Sequence, residues 1–250
     1  DMTEGLTDQQ RAAFHELHRF ALGKTDHTMA VLRGHAGCGK TYLIARLIHA
    51  LGGSGMSIAV AAPTNKAARV LREKIIASGV EVPCEAIDRK DKRNSWPSHW
   101  IEFGSIHSLL GLQLTDRDAG TQECRSARDP SIHQDDLVIV DECSMIGGDL
   151  FSRIVAAKRE CLVLFVGDPA QLPPIEAIEA VSPTFSKVSF VVSLNDVVRQ
   201  ARDNPIIKLS MLIRQAIESE QRIDHVAIAS ALPALDESPA AAMVGGGAET

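Results

Sequence analysis

A glycine-rich segment in the first fifth of the chain has the composition of a phosphate-binding loop. Residues 34–41 read GHAGCGKT and fill every fixed position of the pattern GxxxxGK[ST]. The segment lies between an apolar run at 29–33 and an amphipathic stretch, so a strand and a helix are expected to flank it. The backbone amides expected to close around phosphate oxygens at the helix N-terminus belong to Gly34, Ala36, Gly37, Cys38 and Gly39.

Two side chains at the end of this loop suit a magnesium nucleotide. Lys40 is expected to bridge the β- and γ-phosphates, and the hydroxyl of Thr41 is expected to ligate Mg²⁺. The alternative is a glycine-rich turn before an ordinary helix lysine, which would have to match every fixed position by chance. The motif therefore predicts ATP and Mg²⁺ as cofactors.

A pair of adjacent carboxylates follows the apolar run at 137–140. Asp141 is expected to ligate the metal, and Glu142 is expected to act as general base toward an attacking water. Acidic residues often simply end a strand, but downstream of a phosphate loop this pair favours a catalytic site. Many P-loop kinases need only the metal-binding acid, so the second carboxylate favours hydrolysis by water.

Polar residues also follow other predicted strands of the chain. Four segments that begin at the carboxyl ends of such strands start at Gly34, Pro63, Asp141 and Gly167. Ligands of open α/β sheets bind at that edge. Gln171, in the segment GDPAQLPP, is therefore predicted to reach the γ-phosphate or the attacking water, although a proline-rich turn capped by Asp168 is the simpler interpretation.

The elements that must position these residues alternate along the chain. Strands are expected at 29–33, 57–62, 137–140, 161–166 and 188–194, and helices at 9–22, 40–51 and 66–78. Strands that are apolar throughout are typical of a sheet covered on both faces. We therefore predict an α/β fold with a central, mostly parallel sheet, helices on both faces, and small polar insertions at about 81–100 and 113–136.

Composition limits the class of protein and its location. The 250 residues are 45% hydrophobic and 23% charged, which is ordinary for a globular chain with a sizeable core. The five cysteines form no CxxC pair, so a zinc site is not expected, and the absence of a signal segment or a long apolar run predicts a cytoplasmic protein without a membrane partner. The net charge, 26 − 32 = −6, is the wrong sign for a general nucleic-acid binder, which needs positive charge at least locally.

Several segments together resemble a known family. The segments are 62–68 (APTNKAA), 104–110 (GSIHSLL), 140–145 (VDECSM), 167–174 (GDPAQLPP) and 198–200 (VRQ). Their order resembles motifs Ia, Ib, II, III and IV of superfamily 1B DNA helicases of the RecD/Dda type, and 6–10 (LTDQQ) resembles the Q motif. The resemblance covers about residues 5–215 and implies a RecA-like P-loop NTPase that hydrolyses ATP and moves along single-stranded DNA, usually 5′ to 3′.

The resemblance adds two residues to the nucleotide site. It places Gln10 against adenine, although Thr7 and Gln10 also have the spacing of a capping box, and both roles are compatible. It gives Arg199 the role of stabilising γ-phosphate charge, against the alternative of a solvated surface arginine.

The resemblance also implies contacts to single-stranded DNA. By their motif positions, the contacting residues would be Pro63, Thr64, Asn65, Ser105 and His107. His107 is alternatively a helix-start residue packed between strands. Trp96 and Trp100, beside the basic run at 89–93, are predicted to stack on bases, or else to anchor a charged loop.

The same comparison predicts the domain organisation. Residues 1–224 would form one motor domain and 225–250 a linker or flexible tail. Helicases of this family use a second RecA-like domain, which the residues after Arg199 do not encode, so it is expected in the parent protein or in another chain. The alternative function is an ATP-dependent switch or assembly module that acts on a protein partner without unwinding.

Overall fold

The computed structural model describes residues 2–78, 86–87, 101–116, 122–171 and 181–196. Its helices are α1 (Asp8–Ala21), α2 (Lys40–Leu51), α3 (Asn65–Ala77), α4 (Ile106–Leu109), α5 (Gly148–Ala157) and α6 (Pro183–Ser186). Its strands are β1 (Met29–Gly34), β2 (Ile58–Ala62), β3 (Ala86–Ile87), β4 (Ile101–Ser105), β5 (Leu112–Asp116), β6 (Gln122–Ser126), β7 (Leu137–Val140), β8 (Leu162–Gly167) and β9 (Phe190–Leu194). Short 3₁₀ turns lie at Gly52–Ser54, Ile132–Gln134 and Cys143–Met145.

Seven of these strands form one sheet in the order β3-β4-β2-β7-β8-β1-β9. Every neighbouring pair in it is parallel, which confirms the predicted α/β fold. The five predicted strands are all present, but β4 was not predicted. Glu102 and Gly104 interrupt its apolar run, and Glu102 is nevertheless buried.

Helices cover the sheet on both faces, as predicted. On one face, side chains from the central strands pack against α4 and α5, including Phe165 of β8, Ile106 of α4 and Ile154 of α5. Helices α1, α2 and α3 contact one another in series and cover the other face. The apolar strands explain this double cover, since every residue of β2 and β7 is buried.

The parallel register brings the carboxyl ends of the strands to one edge of the sheet. Ala61 of β2 pairs with Val140 of β7, and Val140 pairs with Phe165 of β8. Neighbouring strands are about 4.8 Å apart. Along this edge the residues after β4 and β2 therefore lie beside the residues after β7, β8 and β1.

Strands β5 and β6 form a separate antiparallel pair, which lies off the main sheet and within the second polar stretch. The base of this hairpin is closed by backbone bonds from Ala127 and Arg128 to the carbonyl of Gly111. After the hairpin the chain re-enters the core, where Ile132 is fully buried.

The chain divides into two compact units, residues 1–35 with 39–195, and residues 36–38 with 196–250. All of the elements above belong to the first unit. In the second, only 36–38 and Asp196 are described, so the predicted roles of Arg199 and of the tail lie outside the described residues. No helix in the described part of the chain is long and apolar enough to span a bilayer.

Candidate functional site at the carboxyl edge of the sheet

The start of α2 has the features of an anion site. Gly39 precedes it in a left-handed conformation (φ 83°, ψ 24°), which glycine adopts without steric cost. No side chain caps the helix, and its first turn carries no acidic residue. The amide dipoles of α2 are therefore directed at whatever lies before the helix, as phosphate binding requires. Gly37, in the second unit, also has a positive φ of 81°.

Lys40 is held against the end of β1 and the residue that follows it. Its Nζ donates to the carbonyl of Gly34 at 2.5 Å and to the carbonyl of His35 at 3.0 Å. Thr41 follows in the first turn of α2 and is partly buried. The ammonium of Lys40 suits a nucleotide phosphate. The hydroxyl of Thr41 and the nearby carboxylate of Asp141 offer the oxygen ligands that a hard divalent cation prefers.

Asp141 lies directly after β7, where its backbone amide donates to the carbonyl of Ala61 on β2 at 2.8 Å. Burial raises the pKa of its carboxyl above the ordinary value. The backbone amide of Glu142 lowers that pKa, the charge of Glu142 raises it, and Lys40 and Lys74 lower it. Burial disfavours the ionised form of this carboxyl, and an adjacent cation would stabilise that form. The electrostatics of Asp141 therefore fit a metal ligand.

Glu142 has a backbone conformation that its sequence does not reveal. Its φ of 55° and ψ of 38° lie in the left-handed region, which costs a residue with a Cβ about 1–2 kcal/mol. The chain turns here from β7 into the 3₁₀ turn Cys143–Met145. Strain of this kind persists where the surrounding structure fixes it, and it is concentrated at functional sites.

Gln171 is hydrogen-bonded to residues 141–145, the acid segment, which begins with Asp141 and Glu142. The hydroxyl of Ser144 donates to its Oε1 at 3.4 Å. Buried Asp168 shapes the turn, since its Oδ1 accepts from the amide of Ala170 at 3.1 Å and its carbonyl accepts from the amide of Gln171 at 3.1 Å. The turn interpretation is therefore confirmed, and it places Gln171 beside the acid segment. Its role as a γ-phosphate sensor stays a prediction.

The end of β8 packs unusually closely against the same segment. A Cβ at Gly167 would lie 2.7 Å from the Sγ of Cys143 and 3.2 Å from its backbone nitrogen. Burial raises the pKa of Cys143 to about 12, so it is a neutral packing thiol. Thr184 also donates to the carbonyl of Cys143 at 3.3 Å. The sequence marks Gly167 only as a turn residue, so this contact could not have been predicted from it.

Gln10 forms the capping box that its spacing allows. Its backbone N–H donates to the Oγ1 of Thr7 at 3.2 Å, and its side-chain Oε1 accepts from the backbone N–H of Thr7 at 3.1 Å. The turn before it lies on α2, because a Cβ at Gly5 would be 2.9 Å from the hydroxyl of Tyr42. Gln10 is thus held close to the start of α2, and the adenine contact stays a prediction beside the confirmed cap.

Two substitutions separate these roles. Thr7→Ala removes the capping oxygen and is expected to lower the free energy of unfolding by about 1 kcal/mol while leaving ATP affinity unchanged. Gln10→Ala is expected to lower both stability and ATP affinity. Urea denaturation and titration with a fluorescent ATP analogue measure the two quantities. Equal ATP affinities for the two variants would remove the adenine role.

A second site lies beside these residues, after β2 and β4. A cleft of about 540 Å³ is lined by Pro63, Thr64, Asn65, Ser105, His107, Ser108, Gly111, Leu112, Gln113, Ala127 and Arg128. The structure thus brings together five of the seven predicted DNA-contacting residues. Trp96 and Trp100 lie outside the described residues.

Three of the cleft residues also have structural roles. The hydroxyl of Thr64 caps α3 by accepting from Ala67, and the hydroxyl of Ser105 caps α4 by accepting from Ser108. His107 lies half-buried in the first turn of α4, which agrees with the helix-start interpretation. These caps fix the two helix starts that border the cleft, and the contacts to DNA stay predictions.

Comparisons with known proteins agree with this arrangement. A family model described as AAA domain matches residues 5–234. The chain is 32% identical over 174 residues to the RecBCD enzyme subunit RecD of Mycolicibacterium smegmatis, which covers 66% of this chain and 29% of that protein. It is 31% identical over 216 residues to the ATP-dependent RecD2 DNA helicase of Deinococcus radiodurans, covering 82% of this chain and 23% of that one.

A phage protein and a solved structure extend the comparison. The ATP-dependent DNA helicase dda of Enterobacteria phage T4 is 28% identical over 220 residues, covering 84% of this chain and 43% of that protein. The crystal structure of Pif1 helicase from Candida albicans superimposes with a TM-score of 0.51 at 18% identity, over 83% of this chain and 44% of that one, and so shows a shared fold. The chain spans less than half the length of each of these relatives.

Proposed function

Because the chain belongs to the AAA domain family, as a RecA-like motor domain of the RecD/Dda helicase type, we propose that it binds and hydrolyses ATP as the motor of an ATP-dependent DNA helicase. One observation carries this proposal. Residues suited to nucleotide chemistry follow β1, β7 and β8, and the cleft lies after the adjoining strands β2 and β4.

The residues that follow β1, β7 and β8 suit hydrolysis of a magnesium nucleotide. When bound, MgATP would supply the transferable γ-phosphoryl group and a cation that neutralises its charge. Lys40 would bind the phosphates, and Thr41 and Asp141 would hold the cation. Glu142 would take a proton from the attacking water, and Gln171 would orient that water.

The two sites are joined by a direct backbone contact. The amide of Asp141 donates to the carbonyl of Ala61, and Pro63, two residues beyond Ala61, begins the wall of the cleft. A change in the acid segment can therefore reach the cleft across a single pair of neighbouring strands. This short route supports coupling between the state of the bound nucleotide and the affinity of the cleft for single-stranded DNA.

The partners in this proposal are single-stranded DNA and a second RecA-like domain. The names of two relatives describe ATP-dependent DNA helicases. Since those proteins are more than twice the aligned length, their remaining residues leave room for the second domain that the family uses. Arg199 would act on the γ-phosphate in that complete assembly.

The rate of ATP hydrolysis with and without single-stranded DNA tests the proposal. We expect magnesium-dependent phosphate release that rises when oligothymidylate is added, and loss of both activities in Lys40→Ala. The Lys24→Ala variant is the matched control, because Lys24 is exposed and lies just after the C-terminal end of α1. ATP binding without any stimulation by DNA would contradict the helicase assignment and favour the switch module.

A further inference from the structure

Arg128 is a cleft residue to which no motif assigns a role. It lies two residues after β6 and is exposed, and among the described residues that line the cleft it alone carries a permanent positive charge. The chain as a whole has a net charge of −6. A strand bound in this cleft therefore needs a local cation, and Arg128 is the residue placed to supply it. This inference rests on the proposed function.

The guanidinium of Arg128 is held in place by Ser108. Its Nη2 donates to the carbonyl of Ser108 at 2.8 Å and to the hydroxyl of the same residue at 2.9 Å. An arginine has five N–H donors, so Nη1 and Nε still carry three. Within the described residues no carboxylate forms an ion pair with Arg128. Nε and Nη1 lie on different edges of the guanidinium, so each can donate a charge-assisted hydrogen bond to a phosphate oxygen while Nη2 stays on Ser108.

The backbone beneath Arg128 is equally fixed. The carbonyl of Gly111 accepts from the amide of Ala127 at 2.9 Å and from that of Arg128 at 3.2 Å. Gly111 has a φ of +65°, and a Cβ there would lie only 2.2 Å from the carbonyl oxygen of Arg128. This close approach requires glycine. It fixes the base of the hairpin against α4, so little conformational freedom remains to be lost when the arginine binds a ligand.

We propose that Arg128 binds a backbone phosphate of the single strand in this cleft, and that Ser108 is the residue that positions it. The contact depends on charge and on hydrogen bonds to phosphate oxygens, so it is independent of base sequence. It also places the phosphate at the junction between α4 and the base of the β5–β6 hairpin. A strand held there contacts both sides of that junction.

Anisotropy of a fluorescein-labelled oligothymidylate, titrated with the complete chain at several potassium chloride concentrations, tests this proposal. We expect Arg128→Gln to weaken binding about tenfold, and to reduce the slope of log affinity against log salt by about 0.7. Arg128→Lys should keep the slope and lose part of the affinity. Ser108→Ala should weaken binding less than Arg128→Gln.

Arg19→Gln is the matched control, because Arg19 is exposed on α1, which packs against β9 at the far edge of the sheet. It should leave affinity and slope unchanged. All variants should keep the parent affinity for ATP, which also shows that they are folded.

Three results would overturn the inference. The first is an unchanged affinity and salt slope in Arg128→Gln, with weaker binding in Asn65→Ala, which would leave the proposed function standing. The second is weaker binding in Arg128→Gln and Arg128→Lys alike with no change of slope, which would mean that Arg128 only shapes the cleft. The third is no binding of oligothymidylate by the parent chain, which would overturn the proposed DNA contact as well.

Discussion

The Glu142→Gln variant is expected to bind MgATP with an affinity within about twofold of the parent chain and to hydrolyse it about 100-fold more slowly, or worse. Glutamine keeps the size of the side chain and its hydrogen-bonding oxygen, but it cannot accept a proton from water. The metal ligands Thr41 and Asp141 are untouched, so binding should persist. Phosphate release under steady-state conditions and titration with a fluorescent ATP analogue measure the two effects.

Two further variants make this result specific to the role of Glu142. Asp141→Asn should weaken magnesium-dependent binding itself, because it removes a charged ligand of the cation. Glu160→Gln makes the same chemical change at an exposed carboxylate before β8, at the opposite edge of the sheet, and should have no effect. Hydrolysis at the parent rate by Glu142→Gln would remove Glu142 from the catalytic step.

The placement of Lys40, Thr41 and Asp141 at one end of the sheet could be predicted from the sequence, because it depends on contiguous residues. The phosphate loop needs glycines, a lysine and a hydroxyl at fixed spacing, and the apolar run before Asp141 needs only burial to become a central strand. The left-handed conformation of Glu142 could not be predicted in this way. The next residue, Cys143, packs against Gly167 at the end of β8, a contact that the local sequence does not reveal.

Other features were missed because their signals are spread along the chain. Strand β4 carries Glu102 and Gly104, so its apolar pattern is broken, although Glu102 is 2% exposed. Arg128 is one of three arginines in a polar stretch without periodicity, and only the fold brings it to Ser108. The basic run near Trp96 is conspicuous by composition alone, whereas the cation that the structure places in the cleft lies outside that run.

The Gly167→Ala variant is expected to lower the free energy of unfolding by about 1–3 kcal/mol, the usual cost of overpacking a core. The new methyl group would lie 2.7 Å from the Sγ of Cys143, a separation that forces one of the two to move. A Cβ there would also lie 3.2 Å from the ring of Phe185. Cys143 can yield little, since it is buried and its carbonyl accepts from Thr184.

A shift of Cys143 should also lower the rate of hydrolysis, because Cys143 lies between Glu142 and Ser144. Ser144 in turn donates a hydrogen bond to Gln171. We therefore expect hydrolysis to fall by more than the loss of folded protein explains, with ATP affinity nearly preserved. Gly148→Ala is the matched control, since a Cβ there meets nothing within 4 Å at the start of α5, and alanine should leave stability unchanged or slightly raised. Urea denaturation, with hydrolysis rates corrected for the folded fraction, measures both effects. Parent-like stability and hydrolysis in Gly167→Ala would mean that β8 and the acid segment are not packed closely enough for one to constrain the other.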